Sequence, residues 1–121
     1  MLGRHLALLC IVLPSYSAVP PTIRPFNFPS DLSLGSRTRL ACEAAKGDLP
    51  LSFRWQYQGR DLNKISDIKV LSMDSFSSTI SIPMVKAKHG GNYTCTVRNT
   101  FGYAQYSALL TVNGRPSIHI L

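Results

Sequence analysis

Two cysteines, a tryptophan and a tyrosine constrain the fold of this chain more than any other residues. Trp55 follows Cys42 by thirteen residues, and Tyr93 precedes Cys95 by two. All four lie at apolar positions of runs that alternate between apolar and polar residues, which is typical of strands with one buried face. We therefore expect these four side chains, together with Leu40, to lie in one core.

The first eighteen residues have the pattern of a secretory signal peptide. Arg4 precedes an apolar stretch from Leu6 to Leu13, and Pro14 and small residues follow. A membrane anchor is the weaker alternative, because a spanning helix needs about 20 apolar residues. Small residues favour cleavage after Ser17, with Ala18 as the second choice. We assign 1–18 to the signal peptide.

Cleavage changes the cysteine count of the chain. It removes Cys10 and leaves Cys42 and Cys95 as an even pair in a protein bound for an oxidising compartment, which favours a disulfide. The alternative is a pair of free thiols or half of a metal site. That alternative lacks the nearby Cys or His ligands that tetrahedral zinc would need.

The mature sequence consists of about seven short alternating runs separated by turn residues. This spacing predicts an all-β antiparallel sandwich, and a proline-rich opening predicts an edge strand or lead-in. No helical periodicity occurs beyond the leader. We assign 19–114 to one domain and 115–121 to a linker or the start of a following domain.

The spacing of cysteine, tryptophan and Tyr-x-Cys resembles that of the immunoglobulin superfamily, specifically its I-set. The segments "GDLPLSFRWQYQGRDL", "DSFSSTISI" and "KHGGNYTCTVRNTFG" are similar to those of the Dscam family, particularly its arthropod members. The resemblance implies a Greek-key sandwich with an inter-sheet Cys42–Cys95 disulfide and a buried Trp55. It also implies a tyrosine corner, in which the Tyr93 hydroxyl bonds a backbone group near Ala87 to Gly90.

The residues give no indication of catalysis, a cofactor or a metal. Of the two histidines in the mature chain, His89 falls in a predicted loop and His119 in the tail, and neither has metal-binding spacing. No serine has an evident histidine and acid partner. Many members of the family carry aspartate where this chain has His89, and that acid often pairs with a basic residue. The resemblance does not extend that pairing to this chain, and a mildly pH-sensitive loop around His89 is the alternative.

The chain is basic, but its charges are dispersed. The full sequence has a formal charge of +7, and removal of Arg4 leaves 12 basic and 6 acidic residues, or 12 − 6 = +6. We interpret this as a solvated basic surface, with an acidic glycan or anionic lipid as the alternative partner. Nucleic acid is not expected, because no basic helix or aromatic RNA-binding motif is present.

The Dscam resemblance implies a recognition module that binds itself or another immunoglobulin-superfamily protein, in neuronal wiring or immune recognition. The alternative is a secreted binding protein for acidic glycans or microbial surfaces. Both place the protein outside the cell, secreted or, as part of a longer anchored protein, on the plasma membrane. The outward-facing candidates for an interface are Arg37, Arg39 and Glu43 on one sheet, and Arg54 and Arg98 on the other.

A glycosylation sequon coincides with the tyrosine and the second cysteine. Asn92-Tyr93-Thr94 fits the pattern Asn-x-Ser/Thr, and the alternation that turns Tyr93 inward turns Asn92 to solvent. We therefore expect a glycan at Asn92, on the opposite side of the strand from the core.

Overall fold

The alternating runs form short paired strands in the computed structural model of the chain, which describes residues 18–65 and 67–116. In these residues the strands are β1 (Thr22–Ile23), β2 (Ser33–Leu34), β3 (Thr38–Lys46), β4 (Ser52–Tyr57), β5 (Arg60–Asp61), β6 (Lys69–Asp74), β7 (Ser77–Ile82), β8 (Gly91–Asn99), β9 (Gly102–Leu110) and β10 (Asn113–Pro116). Single-turn 3₁₀-helices form at Leu62–Lys64 and Ala87–His89. The signal-peptide prediction, apart from Ala18, and residues 117–121 of the predicted tail lie outside the described residues. β10 runs two residues past the predicted domain end at 114.

The strands form two antiparallel sheets that pack face to face. The first sheet has the order β1-β3-β7-β6, and the second sheet has the order β5-β4-β8-β9. A short parallel pair, β2 with β10, lies beside them. This architecture confirms the predicted all-β antiparallel sandwich.

The core is centred on a disulfide that joins the two sheets. Cys42 of β3 and Cys95 of β8 are bonded with an S–S distance of 2.07 Å, and both are fully buried. Trp55 is in register with Cys95 and is 4% exposed, and its indole N–H donates to the Ser78 hydroxyl at 3.1 Å. Leu40, also buried, packs in the same cluster. The one polar atom of the tryptophan is thus satisfied inside the core.

The proline-rich opening contributes more to the core than its sequence suggested. Its only strand, β1, has two residues at the edge of the first sheet, as its prolines allow. Beyond β1, however, Phe26 and Phe28 are both buried. The Phe26 ring lies 5.8 Å from Trp55 and 4.8 Å from Tyr106, and Phe28 lies 5.2 Å from Tyr93. Beyond β1, the segment is therefore anchored by aromatic packing.

The turn between β4 and β5 fixes the start of β8. Gln58 and Gly59 both have positive φ, 50° and 81°, as a two-residue hairpin turn requires. The Gln58 side-chain oxygen accepts from the Asn92 backbone N–H at 2.7 Å, and the Gln58 backbone N–H donates to the Asn92 backbone carbonyl at 3.0 Å. Gly91 has φ 142°, and a Cβ there would lie 2.7 Å from the Gln58 side chain, so only glycine fits.

Candidate interaction surface

The outer face of the first sheet is built from three rows of residues. Because Leu40, Cys42 and Ile80 point into the core, the residues between them point outward. The register of β3, β7 and β6 gives the rows Arg39, Ser81, Lys69, then Ala41, Thr79, Leu71, and then Glu43, Ser77, Asp74. An irregularity between Ser72 and Asp74 brings Asp74 opposite Ser77 and completes the third row.

Charge is segregated along this face. The first row is basic, and Arg37, just before β3, adds a third exposed cation. The middle row is small or apolar, with Leu71 37% exposed. Arg37, Arg39 and Lys69 make no ion pair with any residue that the structure describes. The basic row is therefore exposed and uncompensated.

The acidic row at the other end is only partly engaged within the domain. The Glu43 carboxylate lies 3.9 Å from the Arg24 guanidinium, and both side chains are about half exposed, so the pair is weak. One oxygen of Asp74 accepts from the Phe76 amide at 3.1 Å and from the Ser77 hydroxyl at 2.7 Å, which holds the turn into β7. Both carboxylates remain accessible at the surface.

The outer face of the second sheet differs, because its polar groups bond each other. Arg54 pairs with Asp61 at 2.9 Å, and the hydroxyls of Thr94 and Ser107 lie 2.7 Å apart. Other contacts are a Gln105 amide donating to the Thr96 hydroxyl at 3.1 Å and the Arg98 guanidinium 5.1 Å from the Tyr103 ring centre. Thr96 itself is buried.

The glycosylation sequon lies on this second face. Asn92 is exposed at the start of β8, opposite Leu109 of β9, which is 60% exposed. The two bonds to Gln58 hold the Asn92 backbone, and the side chain extends into solvent. The geometry needed for a glycan is present, and the prediction of attachment stays open.

Tyr93 forms a tyrosine corner with the 3₁₀-helix before β8. Its hydroxyl donates to the His89 carbonyl at 2.7 Å, inside the Ala87 to Gly90 segment that the resemblance implied. Burial raises the pKa of the Tyr93 hydroxyl, and the nearby Tyr57 and Asp67 act in the same direction. The hydroxyl therefore stays protonated and serves as a donor, which is a structural role.

His89 is paired with an acid that sequence reasoning did not find. The ring is 2% exposed; its Nδ1 accepts from the Lys86 amide at 2.8 Å, so the ring proton lies on Nε2, which donates to Asp67 at 3.0 Å. Lys88 also contacts this carboxylate at 3.1 Å. Partial burial opposes ionisation of Asp67, but Lys88 and His89 outweigh it and hold its pKa below the ordinary value.

This cluster borders a pocket of about 430 Å³ lined by Tyr57, Arg60, Asp61, Ile65, Ile68, Lys88, His89 and Tyr93. In the described part of the chain, no three His, Cys, Asp or Glu side chains come together as metal ligands. No helix of that part is long and apolar enough to cross a membrane. Instead, His89 and Lys88 both contact Oδ2 of Asp67, whose Oδ1 is buried without a hydrogen-bond partner among the described residues, and these contacts tie the segment before β6 to the turn before β8.

Comparison with known proteins agrees with this architecture. A family model described as an immunoglobulin domain matches residues 20–99. Cell adhesion molecule Dscam2 of Drosophila melanogaster is 41% identical over 98 residues, and human cell adhesion molecule DSCAM is 36% identical over the same length. Each match covers 81% of this chain but 5% of the relative, so the chain spans a small part of these proteins.

Solved structures show the same fold. The Dscam1 Ig7 domain, isoform 5, superposes with a TM-score of 0.76 at 30% identity, covering 80% of this chain and 100% of that domain. The titin I-band fragment I67-I69 gives a TM-score of 0.71 at 25% identity, over 79% of this chain and 33% of the fragment. The predicted family, fold class and disulfide are thereby confirmed, and the chain belongs to the immunoglobulin domain family, with a sequence similar to those of the Dscam cell adhesion molecules.

Proposed function

We propose that this chain is an extracellular recognition module that binds a second copy of itself through the outer face of the first sheet. The observation that carries the proposal is the segregation of charge on that face, with Arg39 and Lys69 at one end and Glu43 and Asp74 at the other. Its relatives are named as cell adhesion molecules, which supports a binding role rather than catalysis.

A two-fold contact suits this arrangement of charges. In a symmetric dimer, if one residue contacts a second residue of the other copy, the reverse contact forms as well, so the surface must be complementary to itself. An axis through the middle row would place the basic row of one copy against the acidic row of the other, twice. Small side chains at Ala41 and Thr79 let the sheets approach, and Leu71 adds apolar contact.

The second face is less suited to this contact. Arg54 is engaged by Asp61 and Arg98 lies against Tyr103, so a partner would have to displace interactions already made. A glycan at Asn92, which we also propose, would cover the same face and leave the first sheet free. We place the protein outside the cell, secreted or held at the plasma membrane within a longer chain, in neuronal wiring or immune recognition as the Dscam resemblance implies.

Sedimentation of the full chain, secreted from cells that glycosylate it, tests the proposal. We expect reversible dimers that resist moderate salt and that Arg39→Glu weakens at least about tenfold, because the like charges then meet twice. Combining Arg39→Glu with Glu43→Arg should restore association, since the exchanged charges again face each other across the axis.

Arg98→Glu is the matched control, with the same change of charge on the second face, and should alter association less than about twofold. A strict monomer at the highest soluble concentration would contradict the proposal. Equal losses of dimer affinity in Arg39→Glu and Arg98→Glu would also contradict it. The same holds if the double variant Arg39→Glu with Glu43→Arg associates more weakly than Arg39→Glu alone.

A further inference from the structure

A groove of about 580 Å³ runs beside the basic row of the first sheet. It is lined by Pro29, Arg37, Thr38, Arg39, Ser81 and Pro83. Both arginines are exposed, and none of the lining residues is a carboxylate. The groove therefore offers two guanidinium groups whose charge no described residue neutralises.

Lys69 extends the basic surface past the groove. Ser81 lies between Arg39 and Lys69 in the sheet, in register with both. Neighbouring strands are about 4.8 Å apart, so the backbones of Arg39 and Lys69 are separated by about 10 Å on the same face. Three cations and a hydroxyl donor thus lie along a strip longer than a single small anion, which favours a polymer with repeated negative groups.

The chemistry of the strip favours sulfate groups on sugars. Guanidinium groups bind tetrahedral oxyanions through paired N–H donors, and Ser81 can donate a further hydrogen bond. The exposed rings of Pro29 and Pro83 offer flat apolar walls against which the C–H faces of sugar rings can pack. The lining residues include no aromatic ring on which a base could stack and no long apolar side chain that could enter a lipid layer.

We propose that this groove binds a sulfated polysaccharide of the glycosaminoglycan class. Binding does not depend on self-association, but it uses Arg39, the residue that would face Glu43 of a second copy. A bound polysaccharide therefore competes with the dimer for the basic row.

Surface plasmon resonance on immobilised heparin tests the proposal, with the secreted chain applied at concentrations too low for dimers. We expect saturable binding that weakens as salt rises, because the charges are exposed. The double variant Arg37→Gln with Arg39→Gln should lose at least about tenfold in affinity, since it removes two charge-assisted contacts.

The matched control is Lys46→Gln with Arg60→Gln, which removes the same net charge away from the groove and should change affinity less than about twofold. Both double variants should keep the wild-type unfolding midpoint, which shows that they are folded. Equal losses in the two variants would mean adsorption by net charge and would overturn the proposal.

Two further ligands identify the anion. Hyaluronan, which carries carboxylates without sulfates, and vesicles containing phosphatidylserine should bind much more weakly than heparin. Binding of either as tightly as heparin would overturn the assignment to sulfated sugars. Because heparin binding is measured on the monomer, its failure would leave the self-association result standing, and the reverse also holds.

Discussion

The outer faces of both sheets carry polar residues but use them differently. On the second sheet, Arg54 is bonded to Asp61, and Thr94 to Ser107. On the first sheet, Arg39 and Lys69 stand apart from the acids at the far end of their own strands. A group whose bonds are made within the domain gains little from a partner, whereas a separated charge gains a counter-charge. The contrast teaches that a binding face is distinguished by charged side chains left without partners inside the domain, rather than by the amount of charge that it carries.

The largest expected effect comes from the disulfide, on which both faces depend. Replacing Cys42 and Cys95 by alanine reopens a loop spanning 53 positions and should lower the free energy of unfolding by about 4 kcal/mol on the loop-entropy model. Urea denaturation of the secreted protein measures the loss, and reduction of the wild type should reproduce it. A loss below about 1 kcal/mol would show that strand pairing alone maintains the two faces.

A second glycan would test the comparison directly. Thr79→Asn, with Ile80 and Ser81, completes a new sequon in the middle row of the first sheet. A sugar there should weaken self-association at least about tenfold, because it clashes with the second copy. By contrast, Asn92→Gln, which removes the predicted sugar from the second face, should leave association within about twofold.

Mass spectrometry reports whether each glycan is attached, and sedimentation reports the dimer. Thr79→Gln is the matched control, since it adds an amide without a sequon. Unchanged association in a chain glycosylated at position 79 would remove the distinction between the faces.

The smallest effect concerns the support of β6 at the edge of the first sheet. Lys88 and His89 hold the folded pKa of Asp67 below its ordinary value of 3.8, against the opposing effect of burial. A lowered folded pKa contributes stability above the unfolded value, and that stability is lost as pH falls through the folded value. Asp67→Asn should lower the free energy of unfolding by about 0.5–1 kcal/mol at neutral pH. It should also make that free energy depend less on pH in the acid range.

Denaturation across the pH range from neutral to acid measures this effect, and the exposed Asp31→Asn serves as the matched control. Because Asp67 lies two residues before the start of β6, the variant should increase hydrogen exchange in that strand more than in β9. If the free energy of unfolding falls identically with acid pH in the wild type and in Asp67→Asn, Asp67 does not stabilise β6 in this way.

The fold was predictable because the alternation of apolar and polar residues along each strand can be read directly from the sequence. Cys42, Trp55 and Tyr93 each lie on the apolar phase of a strand, and that phase alone turns them inward. The buried Phe26 was not predictable in this way, since it belongs to a proline-rich segment without alternation. Its ring is held by aromatic contacts that depend on how the two sheets pack.

The surface was predictable only in part. Arg39 and Glu43 were recognised as outward-facing from β3 alone, but Lys69 and Asp74 join their rows only through the pairing of β6 with β7 and an irregularity in that pairing. The partner of His89 lies 22 residues away on another element, and no local pattern relates the two. Contacts set by register and by packing between distant segments are not encoded in any short stretch of sequence.

The parallel pairing of β2 with β10 has a mechanical consequence. Asn113 is in register with Ser33, and its backbone N–H donates a hydrogen bond to the Leu32 carbonyl at 2.7 Å. Because the two strands run in the same direction, a pull on the segments that precede β2 and follow β10 slides them along each other. The hydrogen bonds between them then resist together, in shear, instead of opening one after another. Tension applied to the two ends of the domain would therefore load this short pair in shear once it has passed the β1–β3 pairing and the packing of Phe26 and Phe28.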